Sequence, residues 1–215
     1  MSEQKRGLFI VFEGCDRVGK TTQSRLLCEG LQQKGVDVKR INFPDRTTSI
    51  GQVINSYLTS QVEHSHQVIH LLFSANRWER IEDIKQELLN GKTLICDRYA
   101  YSGAAYSVAK GLDLKWCCAP DLGLLQPDAV IYMKAKPEAL TARGNYGDER
   151  FDNVEFQRKV SDVFDGFMAE QRDKDSCYWH EIDASQSKEA LQQQIAKIVE
   201  SLQLKISTKP LVELC

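Results

Sequence analysis

The sequence predicts an α/β protein in which a parallel sheet of five strands is covered by helices on both faces. Three observations predict it. The run Phe9-Ile10-Val11-Phe12-Glu13 is apolar and β-favouring, and it leads straight into Gly14-Cys15-Asp16-Arg17-Val18-Gly19-Lys20-Thr21, which satisfies G-x-x-x-x-G-K-[ST]. Past Thr22 the pattern turns helical, with Leu26, Leu27 and Leu31 on one stripe. Strand-like runs then alternate with helical stretches to the end of the chain, as crossover connections in a parallel sheet require.

Taken in order, Lys34-Gly35 stops the first helix and Val36 to Phe43 reads as the second strand. Pro44-Asp45-Arg46-Thr47-Thr48 breaks it, and Thr48 or Ser49 is placed to cap a short helix reaching Tyr57. After a polar connection from Ser60 to Ser65, Ile69, Leu72, Phe73, Asn76, Arg80, Ile84 and Leu88 fall at helical spacing. They predict one long helix from about His66 to Asn90, with Gly91 as its C′ residue. Thr93 to Cys96 is a short buried strand ending at Asp97-Arg98-Tyr99, and Ala100 to Lys110 reads as helix. Asp113 to Leu125 gives a short helix and loop, and Pro127-Asp128 introduces a strand over Ala129 to Met133. Pro137 suits the first turn of a further helix, and Gly144 to Arg150 is a polar, glycine-punctuated loop. Helix from Asn153 to about Asp173, strand from Tyr178 to Ile182 and helix from Lys188 to Leu202 complete the chain.

Composition narrows the class. A chain of 215 residues has room for one domain with a sizeable core. Its net charge of -2 carries no basic excess, which argues against nucleic acid as the main partner. No apolar run approaches 18 residues, so no membrane span is expected, and Met1 to Arg6 lacks a signal core. Seven cysteines, odd in number and without C-x-x-C spacing, point to reduced thiols in the cytoplasm rather than disulfides or zinc, with nuclear or mitochondrial pools left open.

Parallel sheets gather ligands at the carboxyl ends of their strands. Glu13-Gly14, Phe43-Pro44 and Asp97-Arg98 all lie at such ends, so they should form one site. In it the loop amides from Gly14 to Thr22 would cradle phosphate, Lys20 would reach the β- and γ-phosphates, and Thr21 with Asp97 would serve Mg²⁺, partly through water. Arg46, Arg77 and Arg98 suit a phosphate or base clamp, because a guanidinium binds bidentately and keeps its charge. Asp16 is out of place beside a triphosphate and so needs a role, such as accepting a sugar hydroxyl. Arg17 could lie over the transferring phosphoryl group. Phe73 and Arg77, four apart on one helix, could hold a nucleobase, although periodicity alone makes Phe73 core.

The stretches Phe12 to Thr21, Phe43-Pro44-Asp45-Arg46, Leu71 to Glu79 and Asp97 to Gly103 resemble the thymidylate kinases, most closely the eukaryotic type, and the resemblance runs through Lys209-Pro210-Leu211. It implies a P-loop NTPase three-layer α/β/α sandwich: a single kinase domain over 1–215 with a lid at 144–152. It implies transfer of the ATP γ-phosphoryl group to dTMP with Mg²⁺, in a homodimer, with no nucleic-acid or membrane partner. For ATP it implies Gly14, Cys15, Asp16, Arg17, Val18, Gly19, Lys20, Thr21 and Thr22, with Arg143 flanking the adenine. For dTMP it implies Asp16 at the 3′-hydroxyl, Arg46 and Arg98 at the phosphate, Phe73 stacked on thymine and Arg77 hydrogen-bonded to it. Tyr106 would crowd the ribose 2′ position and Gln157 would lie over the site, with Phe43, Ser102, Gly103 and Phe151 completing the set. Arg17, Lys20, Asp97 and Arg98 would carry the catalysis. Position 151 holds Phe where the family pattern leads one to expect Tyr. Dimer contacts would come from helix faces such as the Ile69–Leu88 stripe. The rival readings are a P-loop kinase for another nucleoside monophosphate or a deoxynucleoside, and a nucleotide-binding module without turnover; a GTPase is disfavoured because no N-K-x-D segment occurs.

Overall fold

Register sets this fold. In the computed structural model, which describes residues 6–135, 151, 153–172, 178–206 and 209–215, the five expected strands are Phe9–Glu13 (β1), Val38–Asn42 (β2), Thr93–Asp97 (β3), Ala129–Lys134 (β4) and Trp179–Asp183 (β5). They form one parallel sheet in the order β2-β3-β1-β4-β5. Phe12 pairs with Asp97 on one side and Ile131 on the other, while Asn42 also pairs with Asp97. The carboxyl ends of β1, β2 and β3 therefore finish level, at the place where the winding reverses across β1 and a ligand crevice opens.

Alternation along β1 builds both layers. Leu8, Ile10 and Phe12 enter a core with Leu27 and Leu31 of α1 (Lys20–Gln33) and Phe164 of the helix Val154–Arg172. Leu191, Ile195 and Val199 of the helix Lys188–Ile206 join them. Phe9 and Val11 point the other way, onto Ile84, Leu88, Tyr99, Leu124 and Leu125. The remaining helices in chain order are Ser49–Leu58 (α2), His66–Trp78 (α3), Ile81–Leu89 (α4), Ala100–Val108 (α5) and Leu114–Cys118 (α6), the last running into a 3₁₀ turn at Ala119–Asp121. Val154–Arg172 is then α7 and Lys188–Ile206 is α8. Caps fall where the side chains allow: Thr48 Oγ1 accepts from Gly51 N–H at 2.9 Å and Ser65 Oγ accepts from Val68 N–H at 3.3 Å. No helix among the described residues is long and apolar enough to cross a membrane.

The single helix expected from His66 to Asn90 is instead two. Arg80 adopts φ −105°, ψ −6°, and its N–H turns to the Arg77 carbonyl (3.1 Å). The two halves bury into different places, Ile69 with Ile54 and Tyr57, and Ile81, Ile84 and Leu88 against the sheet. A straight helix could not serve both. Polar contacts to the loop after β2 hold the bend: Arg80 pairs with Asp45 at 2.5 Å, and Asn76 accepts from Asp45 N–H at 2.7 Å. The Ile69–Leu88 stripe suggested for dimer contacts is thus core, with both residues fully buried. At the other end of the chain, Glu213 pairs with Leu125, and Leu214 exchanges backbone hydrogen bonds with Leu124 and Gly123. The helix expected at Pro137, the loop from Gly144 to Arg150, Arg143, and the lid apart from Phe151 lie outside the described residues.

Candidate active site

The loop between β1 and α1 takes its shape from backbone that only certain residues permit. Gly14 sits at φ +134°, where a Cβ would meet the Met133 carbonyl oxygen at 2.3 Å. Arg17 (φ +63°) and Gly19 (φ +97°) are also left-handed, and Gly19 leads directly into the first turn of α1. The first amides of a helix have no partner within the helix itself, so the start of α1 just after this loop is suited to an anion. Lys20 is buried, with its ammonium donating to the Cys15 carbonyl. Burial, and after it the charge of Arg98, lowers this ammonium to about 8. Cys15 is buried too, donates weakly to the Gln157 carbonyl (3.4 Å), and is pushed by burial to about 11, so it is an unreactive packing residue.

Asp97 closes β3 beside the loop, where the Thr21 hydroxyl donates to its Oδ2 at 2.6 Å. Arg40 Nη2 donates to the same oxygen at 2.8 Å. A hydroxyl and a carboxylate side by side are hard oxygen donors, which suits Mg²⁺, an ion that takes one or two protein ligands and completes its shell with water and substrate phosphates.

Arg98, at φ +68°, turns back over the loop. It pairs with Asp16, donates to Ser102 Oγ (3.1 Å) and the Gly14 carbonyl (3.3 Å), and lies 5.1 Å over the Tyr106 ring. Gln157 completes the group: its Nε2 donates to Asp16 Oδ2 at 2.8 Å and its Oε1 accepts from Asp16 N–H at 3.0 Å. Burial pushes the Asp16 carboxyl up, but Arg98 and Lys20 more than offset it and hold the carboxyl below its ordinary value.

Beyond this cluster lies a cavity of about 470 Å³, within the size range of small-molecule sites. Asp16, Thr21, Phe43, Arg46, Phe73, Arg77, Asp97, Arg98, Ser102, Gly103, Tyr106 and Phe151 all line it. Residues expected from distant stretches of sequence thus share one wall. Phe73 both lines the cavity and packs with Leu72 and Phe151 in the cluster around Ile54. Phe151 stacks on Phe156 with ring centroids 5.2 Å apart, and Lys110 Nζ stands 4.4 Å above its ring.

Sequence reasoning placed Glu13 at the site without giving it a role, and it missed Asp121, Lys110 and Arg40. Glu13, fully buried at the end of β1, accepts from Tyr99 N–H (2.9 Å), Ser102 N–H (3.1 Å) and the Ser102 hydroxyl, tying the turn after β3 to β1. Burial raises its carboxyl, against the opposing pull of Ser102 and Arg98. Asp121 grips Arg77, Lys110 covers Phe151, and Arg40 reaches Asp97. Of the three missed residues only Arg40 left a sequence signal, since it shares a face of β2 with Asn42 toward the strand end.

Residues 12–195 match the family model for thymidylate kinase. The chain is 46% identical over 204 residues to the thymidylate kinase of Schizosaccharomyces pombe, covering 95% of this chain and 97% of that protein. It is 45% identical over 203 residues to that of Plasmodium falciparum, covering 94% of each. The solved structure of thymidylate kinase from Candida albicans superposes with a TM-score of 0.85 at 33% identity, over 98% of this chain and 99% of that one. Matches that begin inside β1, end within α8 and take in every wall of the cleft make this chain a member of the thymidylate kinase family.

Proposed function

We propose that the cavity is the dTMP site of an ATP-dependent dTMP kinase and that its lining residues hold the roles expected of them. The enzyme transfers the γ-phosphoryl group of ATP to dTMP, giving dTDP and ADP. One observation carries the residue assignment: a single continuous wall runs from Thr21 and Asp97 at the phosphate loop, past Asp16 and Arg98, to Phe73 and Arg77. ATP phosphates lie on the loop amides and Lys20, and the dTMP phosphate lies between Arg46 and Arg98. The sugar 3′-hydroxyl meets Asp16, Tyr106 crowds the 2′ position, and thymine lies on Phe73 against Arg77. The acceptor is already an anion, so no strong base is needed; alignment and positive charge supply the acceleration. Arg17 supplies that charge from within the loop. Mg²⁺, held by Thr21 and Asp97, would neutralise phosphate charge. The reading keeps one kinase domain with a lid at 144–152 and an adenine contact from Arg143.

Assay of the purified protein with ATP and Mg²⁺ against dTMP, dUMP, dGMP, dCMP and AMP tests the pocket. Strong preference for dTMP is expected, and faster turnover of another monophosphate would overturn the base assignment. We further propose a homodimer formed through α3 and α6, where Val68, Leu71, Trp78, Leu114 and Trp116 are exposed apolar residues. Val68, Leu71 and Trp78 fall on one helical stripe. Light scattering should give twice the 24.5 kDa chain mass, and the single mass would remove the dimer. The six described cysteines are all free thiols, in keeping with the cytoplasm as its compartment.

A further inference from the structure

Arg77 is almost wholly buried yet lines the cavity. Its Nε donates to Asp121 Oδ1 at 3.1 Å and its Nη2 to Asp121 Oδ2 at 2.6 Å, a two-point grip that fixes the plane of the guanidinium. Asp121 is itself buried and held, since the Ser74 hydroxyl donates to its Oδ1 at 2.7 Å. The 3₁₀ turn that carries it is bolted to α3 through the Pro120 carbonyl, which accepts from Ser74 Oγ (3.0 Å) and Trp78 Nε1 (2.7 Å). Ser74, Arg77 and Trp78 share one face of α3, so a single helix face sets both the arginine and its partner. On the far side Gly103 leaves room: a Cβ there would lie 2.8 Å from Nη2 and 3.0 Å from Nη1. Among the described residues Nη1 has no hydrogen-bond acceptor.

We infer that Asp121 is a positioning residue for base selection: by gripping Nε and Nη2 of Arg77 it leaves Nη1 to the cavity as a face that can only donate, so the pocket takes a base bearing an oxo group there and turns away one bearing an amino group. The inference rests on the reading that the base lies against Arg77. Arginine cannot give up a proton to become an acceptor. An amino group would therefore set donor against donor and leave Nη1 unpaired in a nearly dry place, which is how a site rejects a near-isostere. A buried ion pair gives little stability over apolar packing, so what Asp121 contributes is the direction in which Arg77 points.

The test compares dUMP with dCMP, which share a sugar and phosphate and differ at the base edge, by the ratio of their kcat/KM values. The wild type should favour dUMP strongly. In Asp121→Asn, which cannot accept at both positions, the ratio should shrink about tenfold or more, as one mispositioned buried hydrogen bond predicts. The loss should sit in KM for dUMP, with kcat changed by no more than about threefold. A merely structural role would lower both substrates together, and an unchanged ratio in folded Asp121→Asn would overturn the inference. If that variant does not fold, Gly103→Ala decides, because its methyl displaces the guanidinium while Asp121 stays. The same collapse of the ratio is expected there, and an unchanged ratio overturns the inference. A wild type that ignores both dTMP and dUMP would instead sink the underlying base-pocket reading, before any variant is compared.

Discussion

Replacing Arg17 with glycine is expected to lower kcat about a thousandfold or more while KM for dTMP barely moves, the magnitude set by arginine fingers in other phosphoryl-transfer enzymes. The backbone at this position suits the substitution. Arg17 sits at φ +63°, a conformation that costs an ordinary side chain and costs glycine nothing. Glycine therefore keeps the loop's shape and relieves backbone strain. With the cradle of Gly14, Gly19 and Lys20 intact, ATP binding should survive. The lost activity then belongs to the guanidinium, which acts where charge builds in the transition state and not on the resting substrates. Steady-state kinetics paired with thermal unfolding check this. Turnover near that of the wild type would remove Arg17 from the chemistry.

Replacing Arg98 with alanine should reduce kcat/KM for dTMP by roughly a hundredfold to a thousandfold, the usual cost of removing one partner from a buried, hydrogen-bonded charge pair. Here stability should fall as well, because Asp16 loses its nearest cation while Gln157 and the loop still enclose it. The pH dependence identifies the group responsible. In the wild type the net effect of burial, Arg98 and Lys20 is a lowered Asp16 carboxyl, so its stabilising contribution is present above the unfolded-state pKa and lost as pH falls through the lower folded value. Without Arg98, burial dominates and the folded value moves up. The destabilisation relative to wild type should then be largest at neutral pH and shrink as pH falls, first as the variant's raised carboxyl takes up its proton and then, below the ordinary carboxylate value, as the wild-type carboxyl does. The gap between the thermal midpoints of the two proteins should narrow from pH 7 to pH 4. A gap that stays constant would show that Asp16 is not the group left uncompensated.

Much of this was legible in the residues because it is local. The run into Gly14 and the G-K-T that follows specify strand, loop and helix within a few positions, and the structure places all three there. Strand ends near Glu13, Phe43 and Asp97 could be read from where apolar runs stop, and register then makes them level, with β2 ending one residue earlier at Asn42. Thr48, one of the two candidates, caps its helix because hydroxyls compete for the first free amides; Ser65, read only as part of a polar connection, does the same for the next. The stripe from Ile69 to Leu88 misled for the opposite reason. Periodicity reports that a face is buried but not against what, and one unbroken period covered two helices docked on two different clusters.

What the sequence determined by itself is the chemistry: a phosphate loop, an acid at a strand end, arginines that cannot lose their charge, and an aromatic one turn from an arginine. Each depends on residue type and short spacing. What only the tertiary structure decided is the partnering. Asp121 lies 44 positions from Arg77, Gln157 lies 141 from Asp16, and Arg40 lies 57 from Asp97. Such pairs exist because the sheet brings strand ends together and the helices pack over them, and hydrogen bonds that hold only at about 3 Å leave no trace in spacing along the chain.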